Sequence, residues 1–385
     1  MRDTALNFDK MPPEALARER IAAPPLTYAR DVWRRFSHRP TALLGLAIIA
    51  LLLLAAFFGP IISPHTFDGQ NLAYANLGPM LDTTIYHGRY FFMTPALKLV
   101  ECDGAGRLLR SWDDATQDMI AQKTVFDIGE GDTLALSYKV KPARLVDEND
   151  VELTERKALL NRSYPMGTDM LGRDMLVRLL YGARISLMIA FIAMLVNLVI
   201  GVLYGGIAGY LGGIADALMM RIVEIISTIP LTLYVIMIMV VLKSGLVSII
   251  VALGLVYWVG MARLVRGQIL SLKQQEFVLA ARTIGASAWD ILLRHLIPNT
   301  MGTIIVNMTM LIPSAIFVES FMSFIGLGVA APMASWGTLC NDALEGMRSF
   351  PHQLLFPALT LCLTMFAFNF VGDGLRDALD PRMRQ

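Results

Sequence analysis

The chain has 385 residues, 55% of them hydrophobic and only 17% charged, and its net charge of +1 comes from 33 Lys+Arg against 32 Asp+Glu. Soluble domains carry nearer a quarter charged residues, so this composition excludes an ordinary cytosolic protein. The balanced charge offers neither a basic surplus for nucleic acid nor an acidic surplus that would signal disorder.

Residues 1–40 are polar, are interrupted by Pro12-Pro13 and Pro24-Pro25, and carry eight Lys/Arg against five Asp/Glu, with Arg30, Arg34, Arg35 and Arg39 crowded at the end. Basic residues beside a membrane span are held on the cytoplasmic side, so a cytoplasmic N-terminal tail is expected. Thr41 to Ile62 is an uncharged run long enough to cross a bilayer. It starts too late, runs too long and lacks the A-x-A site of a cleaved signal, which predicts a retained anchor over residues 41–63.

Residues 64–180 hold seventeen acidic and thirteen basic residues, a net of −4, in a segment too long for a connector. Tyr86 to Phe92 is aromatic and β-prone, Thr133 to Val140 alternates polar and apolar residues, and Gly129 to Asp132 supplies turn chemistry. A small strand-containing external domain is therefore predicted over roughly Phe67 to Arg162, within an insertion of residues 64–166.

Five more apolar runs follow within residues 167–385: Ile185 to Tyr210, Ala217 to Leu242, Gly245 to Ala262, Asn299 to Gly326, and Leu354 to Val371. The expected fold is an all-α polytopic membrane protein with six transmembrane helices. Six crossings return the C-terminus to the cytoplasm and put residues 263–294, with five basic and two acidic residues, on the same face. Gly201, Gly205, Gly206 and Gly209 form a small-residue stripe that predicts close helix packing, while Pro230 and Pro313 predict ordinary kinks. Charges inside spans are costly, so Glu224, beside Arg221, and Glu319 are candidates for lining a pathway. A local Arg221–Glu224 contact and a helix-tying role for Glu319 stay open as alternatives. Cys102 and Cys340 fall on the outer side, leaving a disulfide between them open.

No chemistry is visible. Three cysteines without C-x-x-C spacing and five scattered histidines give no metal motif. No phosphate-binding G-x-x-x-x-G-K-[ST] loop and no G-x-S-x-G elbow occurs, so no catalytic residue is assigned.

The most informative stretch lies between spans four and five. Glu276 to Arg282 is a good helix former, Ala280 and Ala281 allow close approach of another surface, and Gly285 breaks the helix. Ser287 is placed to cap a second short helix, and Pro298 to start the next span. Adsorption on the inner membrane surface is the plainer explanation of such a loop. The order Glu276-x3-Ala280-Ala281-x3-Gly285, followed by His295-x2-Pro298-Asn299, resembles the cytoplasmic coupling loop of ABC importer permeases.

Further segments resemble the peptide and nickel class of that family. They are Gly167-Thr168-Asp169 with Gly172-Arg173-Asp174, then Arg178 to Ser186, Ser323 to Gly328 with Ser335-Trp336-Gly337, and Gly372 to Arg382. The likeness is to OppC/DppC-type subunits, the oligopeptide OppC type being the nearer, and it implies the type I importer permease fold. It implies an ATPase-coupling loop over about residues 268–298, in which Glu276, Ala280, Ala281, Gly285, Ala286, Asp290, His295 and Pro298 take part. The partners implied are a homologous OppB/DppB-type permease chain, two OppD/OppF-type ATPase subunits and an external peptide-binding protein, in a bacterial plasma (inner) membrane. No cofactor is expected on this chain, ATP and Mg belonging to the ATPases. A substrate of the dipeptide or nickel kind is the alternative within the class. An ion-driven secondary transporter with Glu224 or Glu319 as proton carrier, and a membrane sensor, are the alternatives outside it. The insertion is absent from shorter members, so their substrates do not transfer directly.

Overall fold

The computed structural model describes residues 28–112, 115–129, 132–138 and 144–379. The tail with Pro12-Pro13 and Pro24-Pro25, residues 130–131 of the expected turn, Val140, and the ending Asp380-Pro381-Arg382 lie outside the described residues.

Ten helices carry the described membrane core. They are α1 (Tyr28–Ser37), α2 (Pro40–Ile62), α3 (Met175–Leu211), α4 (Gly213–Thr228), α5 (Leu231–Leu242), α6 (Leu246–Leu272), α7 (Glu276–Thr283), α8 (Ala288–Phe324), α9 (Trp336–Asp342) and α10 (His352–Leu379). Five of them, α2, α3, α6, α8 and α10, are long and apolar enough to cross a membrane, and the α4–α5 pair makes a sixth if it counts as one span. The main core joins α3, α5, α6, α8 and α9 around Ile189, Ile249, Leu253, Ile316 and Trp336. Leu51, Ile62 and Val240 turn their side chains outward, as a lipid solvent permits.

The third span departs from the expected ordinary kink. α4 and α5 meet at an 82° bend. Pro230 cannot continue the hydrogen-bond ladder, and Ile229 before it is extended at φ −85°, ψ 125°, the region that a following proline imposes. Pro313, by contrast, sits buried inside an unbroken α8.

Among the described residues, the insertion forms nine antiparallel strands in two sheets. One sheet has the order β4-β3-β2-β1-β9 and the other β5-β6-β7-β8, with β1 Met80–Tyr86, β2 Arg89–Met93, β3 Leu99–Cys102, β4 Leu108–Trp112, β5 Ala115–Asp118, β6 Lys123–Asp127, β7 Thr133–Ser137, β8 Arg144–Val146 and β9 Arg156–Leu160. The run from Tyr86 to Phe92 is not one strand. His87 and Gly88, with φ of 48° and 77°, turn it into a two-residue hairpin of the type that requires positive φ at both positions. Alternation along β2 then sends Phe91 to the inter-sheet core with Phe126 and Leu134, and Phe92 to a second core with Leu77 and Tyr164.

Backbone bonds fasten this domain to the helices. Thr168 N–H donates to Leu77 O at 2.9 Å, Asn76 N–H to Asp169 O at 2.9 Å, and Asn71 N–H to Leu171 O at 3.2 Å. The Phe67 ring also stacks on Tyr181 of α3 at 3.9 Å. No disulfide assists: Cys102, Cys340 and Cys362 are all free, and Cys102 is packed in the second core of the insertion rather than facing α9, which carries Cys340.

Candidate coupling site

At the end of the bundle opposite the insertion, the chain leaves α6, forms α7, reverses at Ile284-Gly285 and enters α8. Gly285 has φ +85°, a conformation an L side chain rarely adopts, and a Cβ there would meet nothing within 4 Å. The glycine therefore answers a backbone requirement rather than a packing one. Ser287 caps the next turn, its Oγ accepting from Asp290 N–H at 3.1 Å and donating to Asp290 Oδ2 at 2.6 Å. Asp290 also pairs with Arg294 at 3.2 Å.

The helix after Gly285 is not a separate short one. It runs without interruption into the next span as α8, with a π-helical turn at Ile291–Leu296 in which Ile297 N–H donates to Leu292 O. The widened turn lets Pro298 sit inside the helix instead of at its start. Asn299 Nδ2 then donates to His295 O at 2.6 Å, which gives the His-x2-Pro-Asn order a local structural role.

The loop is anchored to two spans. Val278 and Ala281 of α7 and Ile291, Leu292 and Leu296 of α8 form one core with Val202 of α3 and Met261, Val265 and Ile269 of α6. Beneath it the glycine stripe of α3 lies against α6: a Cβ on Gly205 would stand 2.2 Å from Ala262 O, and one on Gly201 2.6 Å from Met261 Cβ. Lys273 Nζ donates to Gly209 O at 2.9 Å, and the Arg282 guanidinium lies 5.6 Å from the Tyr210 ring centre. Arg266 binds Asp216 of α4 through two bonds of 2.5 and 2.6 Å, so α4 is tied to the same frame.

Of the loop residues singled out in sequence, Glu276, Ala280, Gly285 and Pro298 are exposed, Ala286, Asp290 and His295 are half-buried, and Ala281 is buried against α6. Sequence reasoning passed over the apolar side chains they surround. Ile284 is 85% exposed, Trp289 57% and Leu279 51%, large apolar side chains left uncovered among the described residues. Their signal was available, since large apolar residues at a charged loop need a reason.

The two carboxylates proposed for a pathway part company. Glu319 is completely buried and accepts from Ser186 Oγ at 2.8 Å and Ser323 Oγ at 2.9 Å, while Trp336 N–H donates to Ser186 Oγ at 3.3 Å. It ties α3, α8 and α9 together, the geometry of the helix-tying alternative. Glu224 is exposed on α4 and paired with Arg221 at 2.7 Å, the local i,i+3 contact. A third polar node, at the insertion end, holds Asp169 between Arg173 Nε at 2.6 Å and Arg178 Nη1 at 2.5 Å, all three residues being buried. Among the described residues no group of His, Cys, Asp or Glu is placed to hold a metal ion.

The family described as "Binding-protein-dependent transport system inner membrane component" matches residues 201–385, and "N-terminal TM domain of oligopeptide transport permease C" matches residues 27–79. The dipeptide transport system permease protein DppC of Bacillus subtilis is 40% identical over 95% of this chain and 89% of its own length. The chain belongs to the OppC/DppC-type permeases of ABC importers. The Bacillus subtilis oligopeptide permease OppC is 38% identical over 95% of this chain and 94% of its own length. OppC of Escherichia coli is 47% identical, over only 62% of this chain and 79% of its own. The Bacillus alignments thus run through the insertion. As a permease of this class the chain is a multi-pass transport subunit for peptides with the type I importer fold, and the ion-driven and sensor readings lapse.

Proposed function

We propose that this permease imports oligopeptides and that residues 276–298 are the lever through which two ATPase subunits drive it. The observation that carries the reading is the exposure of the apolar Leu279, Ile284 and Trp289 on a loop whose Val278, Ala281, Ile291 and Leu292 are packed onto α3 and α6. A rigid loop that offers apolar area on one side and grips two spans on the other transmits displacement instead of absorbing it. ATP and Mg stay on the ATPases, and a second, homologous permease chain completes the pathway. Both termini and the loop lie on the cytoplasmic side of a bacterial inner membrane, in keeping with the basic flank before α2. An external binding protein delivers substrate to the side carrying the insertion. ATPase closure shifts the access of the pathway only insofar as the ATPases bind one arrangement better than the other.

A dipeptide substrate is the second reading, favoured by the 40% identity to a dipeptide permease. The test is to purify the chain in mild detergent, identify its companions, and measure ATP-dependent uptake of di- and oligopeptides in vesicles. Glu276→Ala and Gly285→Pro are expected to abolish uptake while the chain stays in the membrane, since proline cannot adopt φ +85°. Wild-type uptake by both variants overturns the lever.

A further inference from the structure

The N-terminal helix α1 lies across the start of α2 and the end of α10, and between them opens a groove of about 450 Å³. Its walls include Val32, Trp33, Leu46, Ile305, Val371 and Leu375, and every residue lining it is apolar. Leu46 is six residues inside α2, about 9 Å along the helix at 1.5 Å per residue. That depth matches the roughly 5–10 Å to which interfacial helices bury their apolar face. Trp33 is 58% exposed and stacks on the buried Phe36 at 5.8 Å, the placement of an aromatic anchor at a membrane interface.

The two flanks of α1 differ in charge. On one, Arg35 is neutralised by Asp31 at 3.0 Å, and beyond the helix Arg39 is neutralised by Asp377 at 2.9 Å. On the other, beside Trp33, Arg30 and Arg34 are exposed one turn apart, with no ion-pair partner among the described residues. Like charges at i,i+4 repel, so this pair is unfavourable by itself and becomes favourable with an anion between the two guanidiniums.

We propose that the groove holds one acyl chain of an anionic phospholipid of the surrounding bilayer, with its phosphate between Arg30 and Arg34. An apolar slot at interfacial depth with an unneutralised basic rim fits a lipid whose headgroup carries net negative charge better than a zwitterionic one. The bound lipid would wedge α1 against α2 and α10 and set the entry angle of the first span.

The experiment uses the full complex, washed progressively with detergent, and native mass spectrometry of the lipids retained per complex in mixed phosphatidylglycerol and phosphatidylethanolamine. One phosphatidylglycerol is expected to persist after phosphatidylethanolamine has gone. The double variant Arg30→Gln/Arg34→Gln should weaken its retention about 25-fold, each guanidinium contributing about fivefold, with an unchanged thermal midpoint in lipid-free detergent. Leu46→Trp, which fills the slot from an exposed wall, should displace the lipid with both arginines intact. Equal retention of the two lipids, or retention indifferent to the double variant, overturns the proposal. So does a photo-crosslink from position 46 that captures residues 1–27 or another protein chain in place of lipid.

Discussion

Ile284→Ser tests the lever at its most exposed point. Ile284 closes α7 and is 85% exposed, so nearly the whole benefit of burying its side chain is still available to a partner, and its loss costs the fold of this chain little. Full burial of such a side chain stabilises by about 1.5–3 kcal/mol, so roughly 1.3–2.5 kcal/mol of association is at stake. That corresponds to a roughly 10- to 60-fold rise in the Kd for the ATPase subunits, since each 1.4 kcal/mol is a factor of ten. The assay titrates purified ATPases onto the permease pair in nanodiscs and measures peptide-stimulated ATP hydrolysis in parallel. Thermal unfolding of the variant should match wild type. An unchanged Kd at unchanged stability would refute the argument that this face docks a partner, whatever happens to transport.

Gly205→Ala places a methyl 2.2 Å from Ala262 O and must force α3 away from α6; a loss of about 1–3 kcal/mol is expected, read as a lower unfolding temperature in detergent. Asp169→Ala strips the shared carboxylate from Arg173 and Arg178 and leaves the two buried guanidiniums only Asp342, at 4.0 and 3.4 Å, a loss of about 3 kcal/mol that Asp169→Asn should lessen. A variant as heat-stable as wild type would remove the node from any structural role. Burial pushes the thiols of Cys102 and Cys340 up to about 11 each. Alkylation at these two positions in the folded protein, followed by peptide mapping apart from the exposed Cys362, should therefore be slow at pH 8, with a thiolate fraction of about 10⁻³, and should climb tenfold per pH unit. The sign for stability follows: the unfolded thiols ionise near 9 and the folded ones higher, so their contribution is intact below pH 9 and falls away as pH rises toward 11. Rapid alkylation of both at pH 8 would contradict the burial of Cys102 and the partial burial of Cys340.

What could be read from the chain alone divides by distance along it. The reversal after α7 was legible because Gly285, Ser287 and Asp290 make it within six residues, and each type has a local reason to be there. The spans were legible as apolar runs, since lipid makes the same demand along a whole helix. The helix boundaries were not: α3 starts ten residues before its apolar run, at Met175, because Asp174 caps it with bonds from Leu176 and Val177 N–H. The two roles of Glu319 stayed open in sequence for a related reason. A carboxylate in an apolar run must be satisfied somewhere, yet its donors come from Ser186, 133 positions away, and from its own helix. Asp216 and Arg266, 50 positions apart, were not paired in sequence either.

The same division explains how the loop can act. Local chemistry shapes α7 and its reversal, whereas the grip on the spans comes from contacts far apart in sequence: Gly205 on Ala262, Lys273 on Gly209, Arg266 on Asp216. A push on Ile284 and Trp289 therefore reaches α3, α4 and α6 together. Close-packed interfaces shift between discrete arrangements more readily than they deform. The 82° bend at Pro230 then supplies a joint on the far side of that rigid group, since α4 is tied by Asp216 and α5 packs separately in the main core through Val235 and Met239. A loop held by α3, α6 and α4, with a joint inside the third span, would supply the mechanical parts that the proposed lever requires, and α4 and α5 are where relative motion should be sought. Spin labels at exposed Ile222 on α4 and Met237 on α5 should change separation on nucleotide binding by the ATPases. A fixed distance would move the hinge elsewhere.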